Sequence, residues 1–158
     1  MAGLRRMWAL TVAALVLALA LQFVGPARTN PWADDDLALE RQGPMPAHVA
    51  ALLRGACYDC HSHDTRWPWY SRISPVSWLV VNDVDSGRHH LNFSTWDGYH
   101  RFERADLLDK SCELVSQGTM PLRSYVWMHP NARLDQHEVE ALCEWTREES
   151  RRLTKAPE

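Results

Sequence analysis

Two cysteines three positions apart, with a histidine directly after the second, limit what this chain can become more than any other feature: Cys57-Tyr58-Asp59-Cys60-His61. On a helical turn, positions i, i+3 and i+4 share one side, so two thiols and one imidazole meet around one point. Two thiols so placed can each add to a vinyl group of a single haem, and the adjacent His61 then lies under the iron as its proximal ligand. A chain that does this must wrap a flat macrocycle rather than close an ordinary core. The same residues leave two other outcomes open. One is a tetrahedral zinc site drawing on Cys57, Cys60, His61 and His63, and the other is a disulfide between the two cysteines.

The compartment follows from the N-terminus. Arg5 and Arg6 precede an apolar stretch from Met7 to Val24 that is interrupted only by Thr11 and Gln22. A positive flank followed by an apolar helix reads as an uncleaved signal-anchor over residues 1–28, with a cleaved signal peptide, cut near Ala18-Leu19-Ala20, as the alternative. Either way the basic residues stay on the cytoplasmic side, and the remainder is expected on the periplasmic face of a bacterial inner membrane. With 17 basic residues against 20 acidic and a net charge of −3, the chain lacks the basic excess that nucleic-acid binding requires.

After the leader, residues 29–45 carry prolines and the acidic run Asp34-Asp35-Asp36, and are expected to form a linker that lifts a domain off the membrane. The domain itself is expected over residues 46–152, followed by a flexible tail over 153–158. Pro46 followed by Val49, Leu52, Leu53 and Ala56 predicts a helix running directly into Cys57. A second helix is predicted from Ser74 as cap and Pro75 as first residue to Gly87 as terminator, and a third from Glu103 to Gln117, closed by Gly118. Asp135 and Glu138 form a capping box opening a fourth, which buries Val139, Leu142 and Cys143. No segment alternates with period two. An all-α fold is therefore predicted, with long loops at 61–73 and 118–134.

The iron's sixth position decides between carrying electrons and performing chemistry. Gly118-Thr119-Met120-Pro121 follows a helix end, and a proline-stiffened loop could hold Met120 at the distal face. His90 and His129 are the imidazole alternatives. Cys112 and Cys143 fall on inward positions of the third and fourth helices, where an oxidising compartment favours a disulfide between them. Trp67, Trp69 and Trp78 suit either a pocket wall or ordinary packing. The second ring nitrogen of His61 needs an acceptor, expected from a backbone carbonyl between Pro68 and Pro75.

Six segments carry a family resemblance: Cys57 to Ser62, Trp67-Pro68-Trp69-Tyr70-Ser71, Pro75-Val76-Ser77-Trp78-Leu79, His90-Leu91-Asn92-Phe93-Ser94, Met120-Pro121-Leu122 and His129-Pro130. Over roughly residues 15–147 the chain resembles the bacterial haem-binding domain family of small membrane-tethered monohaem c-type cytochromes. The resemblance implies an exported, cytochrome c-like helical domain, with one haem c on the paired cysteines and ligation by the following histidine. The expected function is one-electron transfer with His61 and Met120 on the iron, and redox proteins of the periplasm or inner membrane as partners. The alternative is a peroxidase-like enzyme or gas sensor with an open sixth position, its pocket shaped by His90, His129 or Arg123. A tethered structural module holding zinc is the third reading.

Overall fold

The computed structural model describes residues 2–155; Met1 of the leader and residues 156–158 of the expected tail lie outside the described residues. Among the described residues there are seven α-helices and several short 3-10 turns, and no strand occurs. They are α1 (Ala2–Leu21), α2 (Ala47–Ala56), α3 (Tyr58–His61), α4 (Val76–His90), α5 (Arg101–Ser116), α6 (Arg123–Met128) and α7 (Gln136–Lys155). The fold is all-α.

Apolar spacing explains the main helices. In α2, Val49, Leu53 and Ala56 point inward at i, i+4 and i+7, while Leu52 at the stripe's edge stays partly exposed. In α5 the buried positions are Ala105, Leu108, Cys112 and Val115, and Gly118 ends the helix at φ 66°, a conformation that only glycine adopts without strain. The start of α7 is a reciprocal box. The Glu138 amide donates to the Asp135 carboxylate at 2.8 Å, and the Asp135 amide to the Glu138 carboxylate at 2.8 Å. Helices α5 and α7 pack side by side. Leu108 and Leu142 lie between them, with Trp145 and Trp96 filling the core beyond.

Cys112 and Cys143 form a disulfide across this helix pair, with Cα atoms 4.9 Å apart and 31 residues of separation. Closing a loop of that length restricts the unfolded chain by about 3–4 kcal/mol. Cys112→Ala combined with Cys143→Ala is therefore expected to lower Tm by about 10 °C, read by thermal melting of the full chain. An unchanged Tm would show that the bridge contributes nothing to the folded state.

Four local expectations are corrected. The helix predicted from Ser74 to Gly87 instead begins at Val76 behind Pro75 and runs on to His90, so Gly87 lies inside it. The predicted loop at 118–134 contains α6, a helix too short for periodicity to reveal. Helix α7 continues to Lys155 and buries Glu149, Ser150 and Leu153, which carries the packed region past the expected boundary at 152. The segment 29–45 is not a free tether. Asn30 donates to the Thr65 carbonyl at 2.9 Å, Leu39 is buried, the Pro44 carbonyl accepts from Trp145 at 3.2 Å, and Gly43 sits against the Glu149–Arg152 ion pair. Composition predicts poor regular structure there, and the segment holds two 3-10 turns, Asp35–Leu37 and Leu39–Arg41. Irregular backbone can still be held when side chains from the domain satisfy its carbonyls.

Candidate functional site

Helix α2 ends at Cys57, whose backbone (φ −123°, ψ −39°) departs from helical values and lets the next turn start as α3. The amides of Cys60 and His61 both return to the Cys57 carbonyl, at 3.1 and 2.9 Å. Cys57, Cys60 and His61 are thereby gathered on one turn. Both cysteines are free and only partly exposed. Burial pushes their thiols up, Cys57 to about 12 and Cys60 to about 11, so both are uncharged at neutral pH.

His61 is held through Nδ1, which donates to the Leu91 carbonyl at 3.0 Å. Because a carbonyl only accepts, Nδ1 carries the proton and Nε2 keeps its lone pair for a metal. Desolvation lowers the imidazole's pKa, which favours that neutral form. The acceptor is not in the expected stretch from Pro68 to Pro75. Leu91 caps α4 in an extended conformation, and a carbonyl past a helix end has no intrahelical partner to compete for it.

The two residues inside the motif are structural. Tyr58 is buried and stacks on Phe93 with ring centroids 5.2 Å apart. Asp59 is buried and fully engaged: Oδ1 accepts from the Arg66 amide at 3.0 Å and Nε at 3.2 Å, and Oδ2 from the Tyr125 hydroxyl at 2.7 Å. Tyr125 lies on α6, so this bond ties the cysteine turn to the segment that carries Met120. Tyr125→Phe is expected to cost about 1–2 kcal/mol in urea unfolding, since it removes one donor from a buried carboxylate. Arg66→Ala removes a largely exposed side chain and is expected to cost less than about 1 kcal/mol. Equal costs would deny Tyr125 that role.

Met120 follows Gly118, and its amide returns to the Leu114 carbonyl at 3.2 Å. Its side chain is half-buried and lines a cavity of about 420 Å³ with Val115, Trp127, Leu134, Val139, Arg123 and Arg133. The volume is within the range of small-molecule pockets. The structure thus unites Cys57, Cys60 and His61 and sets Met120 in a separate wall, linked through Tyr125. His129 stacks on Tyr125 at 4.3 Å and lies 6.1 Å from the Tyr70 ring, forming an aromatic group next to the motif. His90 is exposed at the end of α4 and bonded to the Ser86 carbonyl of its own helix.

Sequence reasoning missed Arg88. Its guanidinium donates to the Ser62 carbonyl at 2.8 Å, the Thr29 carbonyl at 2.9 Å, Asn30 Oδ1 at 3.1 Å and Thr65 Oγ1 at 2.8 Å. One planar fork fastens α4, the loop after the motif and the N-terminal segment together. The tryptophans serve the same strap: Trp67 donates to Asn30 and Trp78 to the Val24 carbonyl, while Trp69 is exposed.

The donor set discriminates among metals. Among the described residues no three His, Cys, Asp or Glu side chains converge as a metal site, and His63 is turned to the Asn92 amide at 2.8 Å. A four-ligand zinc centre is therefore not assembled. Two free thiols and one imidazole with an available Nε2, flanked by aromatic rings, fit a haem, which needs only an axial donor and an apolar wall. The family model described as a haem-binding domain matches residues 16–148. The chain belongs to the haem-binding domain family. No curated protein and no solved structure matches it. In this haem-binding domain protein the family match and the donor chemistry point to the same cofactor.

Proposed function

We propose that this protein is a membrane-tethered monohaem c-type cytochrome that passes single electrons on the periplasmic side of the inner membrane. Cys57 and Cys60 hold the haem covalently, His61 is the proximal ligand and Met120 the distal one. The observation that carries the reading is the turn that brings two free thiols together with an imidazole whose Nδ1 is bonded to the Leu91 carbonyl. When bound, the haem supplies a one-electron iron couple, and a Met sulfur on the iron raises its potential. The chain's own part is to orient His61, exclude water with Tyr58 and Phe93, and keep the Met120 segment tied to the motif through Tyr125 and Asp59. Anchorage rests on α1: Gly3–Leu21 is long and apolar enough to cross a membrane by length and composition, a test that a signal sequence also passes. Partners in this reading are redox proteins of the periplasm or inner membrane.

The test is an optical spectrum of the full chain, matured with a haem-attachment system, oxidised and reduced, beside Met120→Ala. The ferric wild type is expected to show the weak far-red sulfur-to-iron band, and Met120→Ala to lose it, turn high-spin and fall in midpoint potential. A ferric wild type that is low-spin without the sulfur band, unchanged by Met120→Ala and turned high-spin by His129→Ala, would move the distal ligand to His129. A wild type that is already high-spin and binds carbon monoxide would replace the carrier by an open-site enzyme or sensor.

A further inference from the structure

Gln22, at the end of the apolar helix, is bonded twice to the domain: its side-chain amide donates to the Ser74 carbonyl at 3.3 Å, and the Ser74 amide donates to its Oε1 at 3.0 Å. Two residues on, the Val24 carbonyl accepts from Trp78 Nε1 at 3.1 Å. These bonds fix the start of α4 at the end of α1, where a spanning helix leaves the hydrocarbon.

The outer surface at this place is apolar. Ile73, Val76, Trp78 and Leu79 are between 41 and 57% exposed. One turn further along α4 the exposed positions become Asn82, Asp85 and Ser86, with Asp83 half-buried beside them. The helix therefore changes from apolar to acidic along its axis, away from the anchor. A protein-facing stripe would run the length of the helix instead. Arg28 and Arg72 flank the apolar end, with Arg28 bonded to the Ser71 carbonyl at 3.1 Å. Tryptophan beside arginine around a small apolar face is the composition that settles at the headgroup level of a bilayer.

We propose that this face, Ile73, Val76, Trp78 and Leu79, seats the haem domain on the lipid surface next to its own anchor. The inference rests on reading α1 as an uncleaved membrane anchor. The haem domain is then held at one orientation against the bilayer, and is not swinging on a tether.

The full chain is reconstituted in phosphatidylethanolamine and phosphatidylglycerol vesicles containing a small fraction of a lipid with a diazirine high on its acyl chain, illuminated, and the labelled peptides mapped by mass spectrometry. Label is expected on α1 and on residues 69–80. The variant Val76→Asp with Leu79→Asp is expected to cut labelling of 69–80 at least fivefold and leave that of α1 unchanged. It should fold normally, because both positions are exposed and acidic residues are favoured in a first helical turn. Label on α1 without label on 69–80 would overturn the seat and leave the anchor standing. No label on either would show that α1 is not in the bilayer, and the seat falls with it. Equal labelling of 69–80 in the variant would show that these side chains do not make the contact.

Discussion

Serine at both Cys57 and Cys60 is expected to leave the chain with no covalently held haem. After denaturing electrophoresis the haem-dependent peroxidase stain at 18.2 kDa should fall by at least tenfold, while the protein band remains. The two thiols are free, uncharged and three residues apart on one turn. Each single variant, Cys57→Ser or Cys60→Ser, keeps one thiol that can bond, so its stain should persist at reduced strength. His61→Ala separates attachment from ligation. Both thioethers can still form, and with His61 as the proposed proximal ligand the reduced spectrum should shift to a high-spin form. A stain that survived in the double variant would mean that the cysteines do not hold the cofactor. The haem would then be attached through another residue, whereas a wild type that itself showed no stain would hold its haem by contacts alone and the c-type reading would be lost.

How far the site could be read from the chain depends on whether its determinants are local. Cys57, Cys60 and His61 are neighbours along one helical turn, so their convergence follows from spacing alone. The capping box of Asp135 and Glu138 and the end of α5 at Gly118 are equally local, and each occurs where the pattern places it. Interactions between distant segments leave no such trace. The Leu91 carbonyl that orients His61 is a backbone group 30 residues away, and a backbone carbonyl has no residue type to recognise. Tyr125 reaches Asp59 across 66 residues, and Arg88 reaches Thr29 across 59. Nothing in the composition of 29–45 shows that its polar backbone is met by Trp145 and Arg152 from the far end of the chain. The disulfide partners are an intermediate case. Cys112 and Cys143 could be paired because both fall on inward helix positions, and the structure joins α5 to α7 at that point.

Gly87→Ala is expected to destabilise the haem domain by about 1–2 kcal/mol, in a place where helix propensity alone predicts a gain of about 1 kcal/mol. Gly87 lies within α4, three residues before its end, so it reads in sequence as a terminator. In the fold it is the point where α4 crosses the cysteine turn. A Cβ there would stand 2.6 Å from the Cys60 carbonyl oxygen and 3.1 Å from the carbonyl carbon. Backbone cannot swing aside as a long side chain can, so α4 must move away from the motif, and the Leu91 carbonyl moves with it. The loss should therefore appear twice, as a lower Tm and as a changed haem spectrum from a reoriented His61. Gly87→Val adds two methyl groups to the same gap and should cost about 3 kcal/mol or more. The control is Gly55→Ala in α2, where a Cβ meets nothing within 4 Å. That change should stabilise by about 0.5–1 kcal/mol through the same propensity term. If Gly87→Ala were as stable as Gly55→Ala, with the spectrum of the wild type, the close approach of α4 would have no part in positioning the histidine.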